Sequence, residues 1–409
     1  MRIAIITIAF PPSSHSNGKR PFYLAKGFLE AGWSVDVYTS NLRCDRGYDE
    51  VLRHENLNIV RVDDPLVRGL EFIRPISFLY RLAVGITNVL VWPDFYVLWS
   101  KRVIKILAAK RNYDRVLAFV FPPSIYLASK RKSMIDERWI FDLQESVTPQ
   151  LRVVPRRSPL QKILQPRLVK LEKDALSKAG HIVFTAETNL NAYVKQRLVD
   201  MNKIHHIPYF YEFNEFCQTD IEQNKIFEIC YFGAFDWRGN RSPRVFFTSL
   251  AKFLELYPEA RSLTSFSFYG HWLPDHDDLL HELKLVDVVK IGSAVPYREY
   301  LQLLASASVL LLIVAREHNL FMPSKIVDYF GARRPVLAFV PADSEMHRVL
   351  EKAGMADQAV GEKDVAGGVK ALEALWLSYS SGDLGEIGAN TEFWSADAQI
   401  PRYVKLMSD

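Results

Sequence analysis

Short β-branched runs recur along this 409-residue chain, and segments with apolar residues at helical spacing separate them. "IAIITI" (Ile3–Ile8) leads into "FYLAKGFLEAG", which Gly32 stops, then into "SVDVYTS" (Ser34–Ser40) and "LNIVRVD" (Leu57–Asp63). "DRVLAFV" (Asp114–Val120), "RWIFDLQ" (Arg138–Gln144) and "HIVFTA" (His181–Ala186) continue the series. Continuous apolar strands are buried on both faces, and helices between them cross over to parallel neighbours. The pattern pauses over the polar, aromatic stretch His206–Lys225 and restarts at "FEICYFGAF" (Phe227–Phe235). Further strands are expected at Ser265–Gly270, Val288–Ala294, Ser308–Val314 and Pro335–Val340. The spacing therefore predicts two α/β halves joined near residue 210, and the length exceeds what one ordinary core holds. Ligands of such sheets sit beyond the carboxyl ends of the strands, so a cleft between two facing sheets is the expected site.

Composition narrows the function classes. The chain is 49% hydrophobic and 24% charged, as globular proteins are, and its net charge of +4 gives no reason to expect nucleic acid. Cys44, Cys217 and Cys230 are too scattered for a disulfide framework or a metal site, which fits a reducing compartment. His205, His206 and His271 lack ligand spacing, so no metal is expected, and His181, just before a strand, reads as structural. The apolar N-terminus reads as a first strand and not a signal peptide, and no run of about 18 apolar residues suggests a spanning helix. A cytoplasmic protein is the expectation.

Several stretches carry chemistry. In "FPPSSHSNGKRPFYLAKGF" two prolines stop the first strand, Gly18 permits positive φ, and a helix should start near Pro21. Lys19 and Arg20 at that helix start favour an anion, the alternative being a plain connecting loop. Neither a Walker pattern nor G-x-G-x-x-G is present. In "HNLFMPSKIVDYFGARRPVLAFV" (His318–Val340), Pro323 and Ser324 start a helix that Gly331 is expected to end. Backbone N–H groups at Ser324 with the Lys325 ammonium can hold a diphosphate. Asp328 lies one turn on, roughly 5–6 Å along the axis, where a ribose would follow the phosphates. The alternative is a capped amphipathic helix with Asp328 solvated. Gly233, after a strand, permits close approach of a diphosphate, and Arg238 and Arg241 follow it. Asp142 and Glu145 at one strand end, with His15 in the first loop, could orient an acceptor hydroxyl or take its proton. Asp142 could equally be a strand-end cap. The stretch Arg68–Asn112, rich in aromatic and basic residues, suits the headgroup layer of a membrane, unless its helices pack within the first half.

The ordered set of these motifs resembles the retaining, family-four (glycosyl transferases group 1) nucleotide-sugar glycosyltransferases of bacteria, whose two-domain fold is known as GT-B. The resemblance runs through "FPPSSHSNGKRPFYLAKGFLEAGWSVDVYTS", "VFPPSIYLA", "WIFDLQE", "LEKDALSKAGHIVFTAE", "ICYFGAFDWRGNRSP" and "VKIGSAVPYREYLQLLASASVLLL", to the "PSK" of the donor motif. It implies two Rossmann-like, doubly wound domains facing across a cleft. Residues 1–208 would bind the acceptor, 209–390 the donor, and a helix in 391–409 would cross back to the first domain. It also implies a nucleoside-diphosphate sugar as donor substrate, no cofactor, no metal, and a glycan or lipid-linked acceptor in cell-surface or exopolysaccharide assembly. A peripheral membrane contact through 68–112 would suit such an acceptor. A basic residue after the Gly233 strand would neutralise the leaving nucleotide, Arg241 being favoured over Arg238. The family often pairs the acid at position 328 with another eight residues earlier. Here that place is Leu320, and Glu317 is the nearest acid. A nucleotide-sugar epimerase of the same fold, or a non-catalytic paralogue scaffolding a synthase, are the rival readings.

Overall fold

The computed structural model describes residues 1–13, 16–41, 53–74, 76–110, 112–145, 147–149, 159–216, 225–235, 241–384 and 390–408. It divides into two compact units, Met1–Pro208 with Ile400–Asp409, and Tyr209–Gln399.

The first unit holds seven parallel strands: β1 (Arg2–Ile6), β2 (Ser34–Ser40), β3 (Leu57–Val62), β4 (Arg115–Phe119), β5 (Trp139–Leu143), β6 (His181–Phe184) and β7 (Ile204–His206). Their order is β3-β2-β1-β4-β5-β6-β7, so the winding reverses between β1 and β4. The central strands are buried on both faces, whereas β3 at the edge is half exposed. The second unit holds β8 (Phe227–Ala234), β9 (Thr264–His271), β10 (Val289–Gly292), β11 (Val309–Ile313), β12 (Val336–Val340) and β13 (Ala359–Gly361) in the order β10-β9-β8-β11-β12-β13. There the winding reverses between β8 and β11. In doubly wound sheets, ligands bind at the carboxyl ends flanking such a reversal.

The strands expected from sequence all form, most trimmed by a residue or two at their ends. The periodic signal did not reveal β7 and β13, which are three residues each at the sheet edges. In the stretch Arg68–Asn112, the helix Val97–Ala109 points Trp99, Val103, Ile104 and Leu107 into the core of the first unit. The interfacial reading therefore fails for that half of the stretch.

One buried polar node ties the first unit together. Arg20, in the first turn of the helix Lys19–Glu30, is 3% exposed and fully engaged. Its Nε donates to Asp142 Oδ2 at 3.0 Å, and its terminal nitrogens donate to the carbonyls of Pro208 at 2.5 Å and Ile207 at 2.6 Å. One of those nitrogens also donates to the Tyr403 hydroxyl at 3.0 Å, which in turn donates to Asp142. Both ends of the unit, its exit at Pro208 and the returning helix Ala396–Ser408, are thus fastened to one guanidinium. Arg402 adds a bond to the His206 carbonyl at 2.7 Å.

A buried ion pair contributes little net stability, but removing one partner strands the other in a dry site. Arg20→Met should therefore cost about 3–5 kcal/mol in unfolding experiments, while Arg20→Met with Asp142→Leu should recover part of the loss. A single substitution that melts like the wild type would mean that the node is not a support.

Candidate functional site

In the second unit the chain at the carboxyl end of β8 is Phe232-Gly233-Ala234. Gly233 has φ +133° and pairs with Gly270 of β9, where a side chain would overlap the Gly233 carbonyl oxygen. Neither position admits a Cβ, so the backbone stays bare. Across from it stands Lys325, the first residue of the helix Lys325–Ala332. Its Nζ donates to the Phe232 carbonyl at 2.8 Å and lies 4.5 Å from the Tyr231 ring centre. A Cβ on Gly233 would come within 3.3 Å of that nitrogen. Ser324 is the N-cap, and its hydroxyl makes no capping bond to the helix's own amides. Bare backbone, a positive helix end and an ammonium converge here, as an anion site requires.

The electrostatics of Lys325 follow from this setting. Its stem is half-buried, but the ammonium sits against a carbonyl and an aromatic face. Burial, with the nearby Arg241 guanidinium adding to it, pushes its pKa down to about 7. Among the described residues no carboxylate forms an ion pair with this ammonium.

Asp328, a turn further along, is buried and not solvated as the alternative reading would have it. Its Oδ2 accepts from the Tyr300 hydroxyl at 3.1 Å, and the Tyr300 ring stands edge-on to Phe232 at 4.9 Å. Tyr300 comes from the helix Tyr297–Ser306, after β10. Helix and acid are therefore braced from the neighbouring layer. Gly331 does not end the helix: Arg333 in the left-handed conformation does, and Gly331 instead lies face to face with the Phe216 ring. Glu317 sits half-buried in the single 3-10 turn Arg316–His318 that follows β11. Gly233, Arg241, Glu317, Ser324, Lys325 and Asp328 thus all belong to the segments after β8 and β11, where the winding reverses. Arg238 lies outside the described residues.

The first unit treats its expected site residues differently. Gly18 has φ −86°, so the positive φ that a glycine permits is not used here. It is buried because the helix start packs on the Ala9 backbone, where a Cβ would sit at 3.4 Å. Arg20, expected to face an anion, is consumed by the internal node, and Asp142 is wholly buried with it. A carboxylate without solvent access is placed to hold Arg20 and Tyr403, not to meet an acceptor. Glu145, two residues past β5, is exposed. His15 lies outside the described residues. Among the described residues no group of three metal-ligating side chains comes together.

Three contributors had no role of their own assigned from sequence. Tyr300 carried no local signal, and Tyr403 belonged only to the segment 391–409 expected to cross back. Glu172 did stand in the "LEKDALSKAGHIVF" motif, and it is wholly buried, with its carboxyl pKa raised by burial. It accepts from Tyr193 at 2.6 Å, Tyr126 at 3.2 Å and the Thr148 amide at 3.1 Å, and from the Thr148 hydroxyl. Tyr193 also takes the Val147 amide at 3.1 Å. The segment that carries Glu145 is therefore held from below by Glu172 and Tyr193.

No protein-family model matches the sequence, and no curated protein matches it significantly. Solved structures do match in fold. Sucrose-phosphate synthase from Thermosynechococcus elongatus is 16% identical, with 100% of this chain and 98% of that one covered and a TM-score of 0.66. An alpha,alpha-trehalose-phosphate synthase (UDP-forming) from Burkholderia xenovorans, in complex with glucose-6-phosphate, is 12% identical, with 100% of both chains covered and a TM-score of 0.65. A trehalose-6-phosphate protein from E. coli, bound with UDP-2-fluoro glucose, is 13% identical, with 100% and 95% covered and a TM-score of 0.60. The chain has the two-Rossmann-domain fold of these proteins.

Two outcomes are expected at this site. A diphosphate favours the charged ammonium, so binding should raise the Lys325 pKa above about 7 and draw in a proton. For this group, affinity is complete below that pH and falls as pH rises through the bound-state pKa. Calorimetry with a nucleoside diphosphate at about pH 8, in buffers of different ionisation enthalpy, should register proton uptake. Lys325→Met should abolish that uptake; an uptake that persists in the variant would assign it elsewhere. Tyr300→Phe should weaken a nucleoside diphosphate by roughly threefold to tenfold, the net worth of a typical hydrogen bond. Inorganic pyrophosphate should be unaffected, and an equal loss for both would make Tyr300 a general support of the helix.

Proposed function

We propose that the protein is a glycosyltransferase, moving a sugar from a nucleoside-diphosphate sugar to a glycan or lipid-linked acceptor. The observation that carries this reading is the cradle in the second unit. Bare backbone at Gly233 and the positive helix end with Lys325 lie where a diphosphate would be held, and Asp328 lies one turn beyond, where a ribose would follow.

The chemistry is a displacement at the anomeric carbon. The bond from that carbon to the β-phosphate oxygen breaks, and its electron pair stays on the nucleoside diphosphate. An acceptor oxygen forms the new bond, and its proton goes to a base. Negative charge grows on the leaving group, and fixed positive groups stabilise such a transition state more than the ground state. Lys325, Arg241 and the helix start are suited to that task, and protonation of Lys325 on donor binding would place its charge there. Asp328 would accept from the ribose hydroxyls. In the first unit Glu145 is the exposed acid near the end of β5 and the better proton acceptor, whereas Asp142 is committed to Arg20. Nothing in this scheme needs a metal or a cofactor, and the retaining outcome follows the family resemblance. UDP-sugars are the first donors to try, given the UDP-forming synthase and the UDP-2-fluoro glucose complex among the similar folds.

The setting we propose is bacterial cell-surface or exopolysaccharide assembly on the cytoplasmic side. Among the described residues no helix is long and apolar enough to cross a membrane. Peripheral contact through the part of 68–112 that precedes the helix Val97–Ala109 belongs to the same reading.

The first experiment is thermal stabilisation by UDP, GDP, ADP, CMP and dTDP, since a ligand at 100 times its Kd adds about 2.7 kcal/mol. Asp328→Asn should weaken the preferred nucleoside diphosphate about tenfold, or 1.4 kcal/mol, and leave pyrophosphate unchanged. Equal losses would remove the ribose contact from the scheme. With the matching nucleotide-sugar and acceptor, a glycoside and a free nucleoside diphosphate should appear together. An epimerised nucleotide-sugar without nucleotide release would mean an epimerase. Tight donor binding with no turnover would mean a binding paralogue.

A further inference from the structure

The helix Ser77–Leu90 carries its apolar side outward. Phe78, Leu82, Ile86 and Leu90 are 73%, 50%, 50% and 64% exposed, and they recur every four residues along one face. Just before it, Phe72 is 87% and Ile76 54% exposed. Gly85 lies on the same face with nothing near it. The inner side of the helix packs on the helices Pro65–Ile73 and Pro159–Lys178, and Thr87 is buried there. Single exposed leucines are ordinary on a protein surface, but a continuous stripe of large apolar side chains marks an interaction surface.

The charge around the stripe is one-sided. Between Pro65 and Leu90 the bases are Arg68, Arg74 and Arg81, all exposed, and the only acid is Glu71; Arg68 pairs with Asp63 at 3.5 Å, which leaves Arg74 and Arg81 beside the stripe. A second copy of the chain docking through the same face would set these arginines against their own images, because a two-fold interface repeats one patch on both sides. An acyl layer under anionic headgroups satisfies both features. The helix has 14 residues, about 21 Å at 1.5 Å per residue, too short to span the ~30 Å hydrocarbon core. It would lie flat in the interface, as amphipathic anchors do.

We propose that the helix Ser77–Leu90, with Phe72 and Ile76 before it, is a membrane-docking face: Phe72, Ile76, Phe78, Leu82, Ile86 and Leu90 enter an anionic leaflet while Arg74 and Arg81 meet its headgroups. This narrows the membrane contact of the proposed function to one helix and its approach. It excludes the helix Val97–Ala109, whose aromatic Trp99 is internal. The inference does not depend on the donor cradle.

The test is co-sedimentation of the full chain with vesicles of phosphatidylcholine alone and with about 30% phosphatidylglycerol, at low and high salt. Anionic vesicles should bind the protein at least about tenfold better, with the advantage shrinking in high salt. Leu82→Gln with Ile86→Gln should abolish binding, and Arg74→Glu with Arg81→Glu should remove the anionic preference. Because every changed side chain is exposed, melting and nucleoside-diphosphate affinity should stay at wild-type values. A second probe, Phe78→Trp, should show a blue-shifted emission with anionic vesicles only. Equal binding of both vesicle types, or binding that survives the Leu82/Ile86 change, would overturn the proposal. So would a solution dimer that the same change makes monomeric, since the occupant would then be a second copy. Loss of nucleotide binding by wild type would sink the cradle and leave this face standing.

Discussion

The Arg20 guanidinium is where four distant stretches of chain meet, and the first unit depends on how completely it is satisfied. A charge taken out of water is costly unless its partners are well placed and its other donors are used. Arg20 meets both conditions through the Asp142 carboxylate, the Ile207 and Pro208 carbonyls and the Tyr403 hydroxyl. The planar fork of an arginine can reach several acceptors at once, which a lysine's point charge cannot do as well. The node therefore fixes the exit of the first unit, the start of its first helix and the seat of the returning C-terminal helix together. It also decides the fate of Asp142. A strand-end acid that looks catalytic by position is here a counter-ion.

Lys325 occupies the matching position in the second unit, at the start of a helix beside a strand end. Its surroundings are opposite in kind. Among the described residues its ammonium meets a carbonyl and an aromatic face, with no carboxylate in an ion pair. The charge is thus uncompensated, and its pKa falls toward neutrality for that reason. One unit spends its helix-start cation on internal order, whereas the other leaves its cation without a carboxylate partner among the described residues. The proposal of the second unit as the donor side rests on that contrast.

The sequence made the sheets legible because period and length are local properties. Eleven of the strands follow from apolar runs, while β7 ("IHH") and β13 ("AVG") are too short and too weakly apolar to show a period. The arrangement of Ser324, Lys325 and Asp328 was legible for the same reason: they lie at the cap and on the first turn of one helix, and their spacing fixes their geometry. Partners across the fold were not. Arg20 and Asp142 are 122 residues apart, and Asp142 and Tyr403 are 261 apart, so neither pairing leaves a local trace. The use of Gly18 was not legible because glycine has two uses, positive φ and close approach, and a sequence does not distinguish them. Trp99 failed similarly, since an aromatic residue beside basic ones reads alike in a core and at an interface.

Close approach by glycine also explains how the connecting segments are received. Gly27 lies in the middle of the helix Lys19–Glu30, and a Cβ there would overlap the Ile400 side chain, just where the chain rejoins the first unit. Gly331 lies within the helix Lys325–Ala332, and a Cβ there would overlap the Phe216 ring, just after the chain enters the second unit. A glycine inside a helix costs about 1 kcal/mol relative to alanine. In both places the cost is offset by an aromatic or β-branched side chain that packs directly on helix backbone. Each of the two helices thus carries a cation in its first turn and a glycine seat further along. In each case the helix that positions the cation is also the one on which a side chain of the connecting segment packs.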